Sequence, residues 1–559
     1  MIFHAAKVPG CKIQHREAPQ PEGFRGVIIK GLLSFTLMNN RVFSAGYRYW
    51  VFSLLAVGVF LRVMHYLGDR ALWMDEAKLA LNFVQPPTWT IFQPLLNNQI
   101  APVGFLLIEK LAVGWFGVSE AALRFYPLVA GVISVFLVYK LANKIFGAWV
   151  GLMALGIFAV SHWAIYYAAE VKQYSSDMMV ALILYVVAAY ALDRWNTTRW
   201  LVLTAAGVIG VWLSHPATFI LAGIGIGIGV QSIARKQWGD IARLGISTVI
   251  WIGSFAFGLY ATSTIGSGAT TAGSATFSHM TGVAWTSTFA PFPPMSLSDT
   301  RWYWSAFFRV FNHPLGFATQ GLAAFLFLAG IVHLWSRNCL WLGLLVLPML
   351  VALLASALHL YPFSSRLLIF LVPGTIIIIA AGIETLRQLA WDKCRPVWFL
   401  AIGVLLLQPV WGAFSNVTHK IPYDRENIRA VLGHIDQFKS ADDRIYVYAR
   451  AGSAFRYYRS QFAFSEDNII WGNSIRSSWD VYLGDINRIR CFNRVWLVFS
   501  HVETNKAGVD EERYLLHSLD KNGQQLDTVK ASGASGYLYR FDPDTSSESC
   551  DSVTLTGQK

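Results

Sequence analysis

Charged residues are scarce in this chain. Asp, Glu, Lys and Arg make up 14% of its 559 residues, whereas about one-quarter of the residues of a soluble protein are charged. Hydrophobic residues make up 54%, and they recur in stretches of about 20 residues, the length that a helix needs to cross a bilayer. The sequence therefore excludes an ordinary soluble protein and predicts a polytopic α-helical membrane protein.

The apolar stretches predict about eleven transmembrane helices. We place them at residues 48–66, 123–143, 148–166, 175–192, 200–214, 217–233, 244–262, 316–335, 340–358, 367–384 and 397–415.

Lysine and arginine are distributed unevenly over the short loops between these helices. The loops on one side hold eleven of them, and those on the other side hold only Lys172 and Arg366. Basic short loops face the cytoplasm, so residues 1–45 form a cytoplasmic N-terminal tail and the odd number of spans puts the C-terminal segment outside. The net charge of +12 thus follows membrane topology and does not indicate nucleic-acid binding.

The sequence also gives little indication of two features of secreted proteins, a cleaved signal peptide and a cysteine-rich scaffold. The first forty residues have no compact apolar region followed by a small-residue cleavage site, so we expect no cleaved signal peptide. Cysteines number only five, which excludes a disulfide-rich scaffold. Cys491 and Cys550 are the two on the predicted external side, and a disulfide between them is one alternative.

These patterns divide the chain into four regions. They are the tail 1–45, a membrane domain 46–415 with external loops 67–122 and 263–315, a small external α/β domain 416–545, and a disordered tail 546–559. In the third region, strands near 444–448, 494–500 and 536–541 alternate with helical stretches, which favours a mainly parallel sheet. It has no glycine-rich phosphate loop and no metal-ligand spacing, so we interpret it as accessory.

A carboxylate pair, Asp75 and Glu76, follows the first predicted span. Acids beside a membrane span are costly and are functional candidates by default. Lys78 lies three residues beyond Asp75 on the same helical face, close enough to keep the acid ionised. An ionised Asp75 could act as a general base toward a hydroxyl group. The alternative is an interfacial acid that only orients the loop.

Further polar groups fall on the same predicted side. Glu170, Lys172 and Tyr174 follow the third span, in a stretch whose tyrosines alone would be ordinary interfacial residues. His215 lies at an external turn, where an imidazole could bind metal or phosphate or simply cap the turn. Arg366 breaks the charge bias of the loops, and its guanidinium suits the capture of a lipid phosphate. Together these groups fit transfer of a group from a phosphate-bearing lipid.

The chain resembles the GT-C membrane glycosyltransferases, in particular the protein O-mannosyltransferase-like, aminoarabinose transferase-like and RgtA/B/C/D-like branches. The resemblance covers roughly residues 48–385. It rests on Asp75-Glu76-Ala77-Lys78, Gln99-Ile100-Ala101-Pro102-Val103-Gly104-Phe105, Gly117-Val118-Ser119-Glu120-Ala121-Ala122-Leu123-Arg124-Phe125, the tyrosine-rich segment around Glu170 and the segment from Tyr361 to Arg366. Relatives often have a double proline where this chain has Pro102-Val103, which leaves the acceptor side less defined.

The resemblance implies a polyprenyl-phosphate-linked sugar donor and transfer with inversion at the anomeric carbon. Asp75 would be the base, and Glu76, the second catalytic residue, would help to place the sugar or phosphate. Lys78 would help to place the sugar or phosphate. Donor and phosphate binding would also involve Glu170, Lys172, Tyr174, His215 and Arg366. Some relatives bind a divalent metal cation, for which Glu76, Glu170 and His215 are an available set, and others need no cofactor.

We therefore expect an inverting glycosyltransferase with a periplasmic active site in a bacterial inner membrane. Its acceptor would be a lipid, a glycan or a protein. A transporter or lipid flippase for cell-envelope glycolipids is the alternative, although transporters place ionisable groups near the bilayer midplane and these acids cluster in loops. A non-catalytic membrane scaffold is a third hypothesis.

Overall fold

A computed structural model describes residues 45–84, 95–193, 195–264, 286–390, 395–418, 425–473, 479–502 and 510–542. These residues form a helical membrane domain followed by a small domain built on a sheet. The N-terminal tail, much of the second external loop and the C-terminal tail lie outside the described residues. The expectations for those segments stay predictions.

The membrane domain is entirely helical in its described part. Its helices are Ala45–Leu67, Met74–Val84, Val103–Phe116, Glu120–Phe146, Ala148–Ala159, His162–Tyr166, Tyr174–Asp193, Thr197–Leu213, Ala217–Ala234, Trp238–Thr264, Leu297–Asn312, Gln320–Arg337, Cys339–Ala357, Val372–Ala390 and Arg395–Thr418.

Each predicted span coincides with a helix or a bent helix pair, which confirms the polytopic fold. By length and composition, eight of the described helices can cross a membrane, or nine if the bent pair Ala148–Ala159 and His162–Ala169 forms one span. The expectation of about eleven also counted Thr197–Leu213, which is apolar but shorter, and Gln320–Arg337. Neither of these two is among the helices that meet the criterion.

The bent pair turns by 62° after Ala159, and a buried arginine compensates for the break. Arg62, on the first span, donates from Nη2 to the carbonyl oxygen of Phe158 at 3.2 Å and from Nη1 to that of Ala159 at 3.4 Å. Carbonyl groups at a helix end have no partner within the helix, and in hydrocarbon each must find one. The break therefore explains why a fully buried arginine lies within a span.

The segment Ser365–Leu389 lies at the centre of the bundle, with 94% of its apolar stretch buried. It begins as a 3₁₀ turn, Ser365–Leu371, and continues as an α-helix from Val372. Pro373 is tolerated there because the first turn of a helix needs no backbone donor from it. The turn brings Arg366 to the mouth of the bundle.

The C-terminal domain has a five-stranded mixed sheet in the order β2-β1-β3-β5-β4. The strands are β1 Arg444–Val447, β2 Ile469–Trp471, β3 Arg494–Ser500, β4 Gly523–Ala531 and β5 Ala534–Phe541, and the helices are Ile428–Phe438, Gly452–Tyr458, Trp479–Arg490 and Glu511–Leu519.

The expectation of a mainly parallel sheet was wrong. Strand β1 is parallel to β2 and β3, but β5 is antiparallel to both β3 and β4. The tight β4–β5 connection, with Gly533 at a φ of 59°, makes a hairpin that the polar sequence of β4 did not reveal. In the same domain Cys491 is disulfide-bonded, while Cys550 lies outside the described residues.

The two domains share a hydrophobic core. Leu72 and Leu79 of the first external loop belong to the same buried cluster as Ile428, Val431 and Phe455 of the C-terminal domain. Because apolar contact is continuous across the boundary, the C-terminal domain is packed onto the loop that carries the acid pair.

Gly330 and Gly382 allow the helices Gln320–Arg337 and Val372–Ala390 to touch. A Cβ atom on Gly382 would lie 1.9 Å from the carbonyl oxygen of Leu326, and a backbone atom cannot swing away as a side chain can. We expect Gly382→Ala to destabilise the protein by about 1–3 kcal/mol through overpacking, seen as a lower apparent unfolding temperature in detergent. Gly403→Ala is the control, since its added Cβ would meet no described atom within 4 Å beyond its own stretch of helix. Equal unfolding temperatures of the two variants would contradict the prediction.

Candidate active site

Asp75 lies in the first turn of the helix Met74–Val84, between two cations. Its Oδ1 is 3.0 Å from Nζ of Lys172, and its Oδ2 is 3.0 Å from Nη1 of Arg366. Lys172 also donates to Oε1 of Gln99 at 2.7 Å. Three segments that are far apart in sequence thus meet at one carboxylate.

These cations set the protonation state of Asp75. Burial alone would raise the pKa of its carboxyl, but Lys172 and Arg366, with a smaller contribution from Lys78, outweigh burial and lower that pKa to about 2. Asp75 is therefore ionised throughout the physiological pH range.

Glu76 is fully buried and is already paired. Arg124 donates from Nε to Oε1 at 3.1 Å and from Nη2 to Oε2 at 2.8 Å, a bidentate ion pair. The backbone N–H of Val171 donates to Oε1 at 2.9 Å, and Arg70 lies 3.7 Å from the same atom. Burial raises the pKa of Glu76, yet Arg124 and Arg70 make the net shift downward.

This geometry ties Glu76 to the neighbouring loops rather than directing it into an open cavity. The catalytic role of Glu76 in placing the sugar or phosphate stays a prediction. The contacts favour a structural role, because the Glu76 carboxylate is fully buried and both of its oxygens already accept hydrogen bonds.

Glu170 is a buried acid with an incomplete set of partners. Its Oε1 accepts from Nε1 of Trp73 at 3.2 Å, whereas its Oε2 has no hydrogen-bond partner in the described part of the chain. Burial, reinforced by the charge of Glu76, raises the pKa of Glu170 to about 7. Neighbouring carboxylates at this site therefore have opposite pKa shifts, a pattern typical of functional sites.

Aromatic rings surround the cations. The guanidinium of Arg366 lies 5.7 Å from the ring centroids of Trp73 and Tyr174. Arg425, an exposed residue at the start of the C-terminal domain, lies 4.8 Å from the ring of Trp73 and 5.1 Å from that of Tyr166. Trp73 thus has two guanidinium groups as neighbours, one from each domain.

Most of the predicted site residues therefore lie together. One cluster contains Asp75, Lys172, Arg366, Tyr174 and Glu170. Glu76 acts on Glu170 through its charge, and Lys78 acts on Asp75 in the same way. His215 lies elsewhere, beside a small apolar cavity, where its ring packs against Phe255 at 5.9 Å.

The structure does not assemble the predicted metal-ligand set. Glu76 is paired with Arg124, and His215 lines a cavity that none of the clustered residues lines. Throughout the described ranges, no group of three or more His, Cys, Asp or Glu side chains could hold a metal ion. The described residues thus give no support to the divalent-cation alternative.

Comparisons with known proteins point to one fold. Residues 100–252 match the family described as dolichyl-phosphate-mannose-protein mannosyltransferase. ArnT from Cupriavidus metallidurans, bound to undecaprenyl phosphate, is 12% identical with a TM-score of 0.55, over 92% of this chain and 100% of that chain. The Archaeoglobus fulgidus oligosaccharyltransferase, in complex with Zn and sulfate, is 12% identical with a TM-score of 0.50, over 87% and 72%.

The chain has the GT-C fold. The match over residues 100–252 and the shared fold indicate a membrane glycosyltransferase, which confirms the resemblance seen in the sequence. No curated protein sequence matches this GT-C protein.

Sequence reasoning missed several residues of the site. Arg70 and Trp73 belong to the segment of the acid pair, and Arg124 lies in the run from Gly117 to Phe125 that supported the family resemblance but was given no role. A signal existed for Arg124, since an arginine near the start of an apolar span needs a buried partner. No local signal marks Arg425, because its neighbours at the site come from segments hundreds of residues away.

Loss of Arg124 should be far more harmful than loss of an exposed cation. Arg124→Met leaves Glu76 buried without its main partner, which costs about 3–5 kcal/mol. Lys144→Met removes a pair in which Asp193 is 50% exposed, and such surface pairs contribute about 0–1 kcal/mol. We expect a large drop in unfolding temperature and yield for the first variant only; similar values for both would contradict the buried pair.

Glu170 should also give the GT-C protein a characteristic pH dependence. Its folded-state pKa of about 7 lies above the usual value, so the folded state binds the proton more tightly than the unfolded state. Stability from this group is present at low pH and is lost as pH rises toward and through 7. The unfolding temperature of the wild type should therefore fall from pH 5 to pH 8 more steeply than that of Glu170→Gln; parallel curves would refute the raised pKa.

Proposed function

We propose that this protein is an inverting glycosyltransferase that moves a sugar from a polyprenyl-phosphate-linked donor to a lipid, glycan or protein acceptor. The observation that carries the proposal is the ionised Asp75 between Lys172 and Arg366 within a GT-C fold. A base and two phosphate-seeking cations are the groups that such a transfer needs at one place.

The charge balance of the site supports an anionic donor. Four cations, Arg70, Arg124, Lys172 and Arg366, are paired with only two carboxylates of lowered pKa, Asp75 and Glu76. Positive charge is therefore in excess among these groups whether Glu170 is protonated or ionised. A phosphate group would offset this excess, and the bound undecaprenyl phosphate of the ArnT structure is a ligand of that class.

The donor would also strengthen the base. With a pKa of about 2, the carboxylate of Asp75 is a weak proton acceptor as long as Lys172 and Arg366 pair with no other anion. A phosphate that shares these cations adds negative charge nearby and raises the pKa of Asp75. Asp75 would then become an effective base when the donor is bound.

The proposed step is a single displacement at the anomeric carbon. The acceptor hydroxyl loses its proton to Asp75 and its oxygen forms the new glycosidic bond. The bond between the anomeric carbon and the phosphate oxygen breaks, and polyprenyl phosphate leaves with the electron pair. Lys172 and Arg366 would neutralise the charge on that leaving group.

The remaining residues have supporting roles in this proposal. Tyr174 would position Arg366, and Lys78 would keep Asp75 ionised. Glu170, with its raised pKa, is a second candidate for proton transfer. His215 stays a donor-site residue by prediction only, because its described ring contact is with Phe255, outside the cluster.

The charge bias of the loops supports an active site on the periplasmic face of a bacterial inner membrane. The N-terminus would be cytoplasmic and the C-terminal domain periplasmic. The site is built from the first external loop, the segment around Glu170 and the segment around Arg366, all on one predicted side.

Asp75→Asn tests the mechanism. We expect at least about a 100-fold loss of transfer, because the amide keeps the shape of the side chain but cannot accept the proton. The assay incubates purified protein in nanodiscs with undecaprenyl-phosphate-linked sugars, one labelled sugar at a time, and with extracted envelope acceptors. Glu170→Gln in the same assay tests the second candidate base.

Asp193→Asn is the matched control, since Asp193 forms an exposed pair with Lys144 away from the site, and it should keep wild-type turnover. Equal turnover by wild type and Asp75→Asn would refute Asp75 as the base. Movement of the labelled lipid across the membrane without sugar transfer would favour the transporter hypothesis.

A further inference from the structure

The helix that carries Asp75 begins without a cap from its own sequence. Its first residue is Met74, preceded by Ala71-Leu72-Trp73, and none of these three side chains is a good N-cap. The first amides of a helix have no partner within the helix, and Ser, Thr, Asp or Asn normally supplies one. At this buried end the partner has to come from elsewhere.

The C-terminal domain supplies it. The backbone N–H of Met74 donates to Oε2 of Glu426 at 2.9 Å. Oε1 of Glu426 lies 2.5 Å from Nδ1 of His501, and Ser500 donates to Oε2 at 3.3 Å. A carboxylate at a helix N-terminus is favourable because it faces the positive end of the helix dipole.

A second contact fixes the residue two positions before the helix. The backbone N–H of Leu72 donates to the hydroxyl of Tyr458 at 2.7 Å, and that hydroxyl donates to Oε1 of Glu120 at 2.8 Å. Tyr458 is fully buried, and Glu426 is 5% exposed. Both side chains are therefore buried where the C-terminal domain meets the first external loop.

Arg429 makes a third contact, and we call Glu426, Arg429 and Tyr458 together the clamp. Arg429 donates to the carbonyl oxygen of Asp69 at 2.6 Å and lies 2.8 Å from Oε1 of Glu120. The backbone from Asp69 to Met74 is thus held at three points by residues between 426 and 458. Trp73, between two of these points, is held from the membrane side by its hydrogen bond to Glu170.

We propose that the C-terminal domain is a positioning element of the active site, in which Glu426 and Tyr458 hold the Leu72–Met74 backbone so that Asp75 meets Lys172 and Arg366. This inference rests on the proposed function for the reaction that Asp75 serves. A displacement of about 1 Å at a reacting group can cost about 100-fold in rate, so a clamp on the adjacent backbone has direct catalytic value.

The test compares two clamp variants with two controls from the same domain. Glu426→Ala removes the cap, and Tyr458→Phe removes a single hydroxyl group. The controls are Glu512→Ala and Tyr537→Phe. Glu512 accepts from Ser535 at 2.5 Å and from Tyr537 at 2.7 Å, so these variants lose comparable hydrogen bonds away from the Asp75 loop.

We expect the clamp variants to lower kcat by about tenfold or more while the KM for the undecaprenyl-phosphate sugar changes by less than about twofold. The controls should keep both constants near wild type. Glu426→Gln should recover part of the lost kcat, because its amide oxygen can still accept from the Met74 N–H. A residue that served only global stability would not separate kcat from KM in this way.

Amide hydrogen exchange gives a readout that needs no substrate. Exchange in residues 74–78 should become faster in Glu426→Ala and in Tyr458→Phe, but not in the controls. Sugar transfer by wild type but not by Asp75→Asn would support the proposed function. If the clamp and control variants then agree in kcat and in amide exchange, the clamp is refuted and the function stands. If wild type transfers no sugar while exchange rises only in the clamp variants, the proposed function fails and the positioning role stands.

Discussion

The arrangement of this site depends on the buried ion pair between Glu76 and Arg124. It joins the first external loop to the start of the next long helix, and Glu76 also accepts from the backbone of Val171. Taking two charges out of water is expensive, and the cost is offset only if the geometry is good and the remaining hydrogen bonds are made. A buried bidentate pair needs a defined geometry, so it constrains how the segments of Glu76, Arg124 and Val171 meet. Asp75 and Lys172, the neighbours of Glu76 and Val171, are brought together as a result.

The sequence was a good guide wherever the bilayer or a charge imbalance decided the outcome. Long apolar stretches predicted the helices. The acid pair beside a span led to Asp75, and an arginine in a short loop on the side poor in Lys and Arg led to Arg366. Both features are local, since hydrocarbon penalises charge wherever it lies. The same reasoning could not separate Asp75 from Glu76. The two are adjacent, and only the packed structure directs one toward Lys172 and Arg366 and the other toward Arg124.

What sequence reasoning missed depends on contacts between distant segments. Arg425 and Glu426 reach the first loop from more than 300 positions away, and nothing in their neighbours indicates it. His215 was placed at the site because it lies on the correct predicted side, but sharing a side of the membrane does not bring residues together. The mixed sheet was missed for a related reason. Strand β4 is exposed and polar, so its residue pattern does not indicate a strand, and it forms one because it pairs with β5.

The broken helix after Ala159 determines where the tyrosine-rich segment lies. A straight continuation of Ala148–Ala159 would carry that segment onward along the axis of the span, but the 62° bend turns His162–Ala169 aside. The buried guanidinium of Arg62 makes the bend possible, because it supplies partners for the carbonyl groups of Phe158 and Ala159. The turned segment places the hydroxyl of Tyr166 3.1 Å from Arg70, and Glu170 follows it and accepts from Trp73. A charge in the first span thus sets the position of an acid at the site more than one hundred residues later.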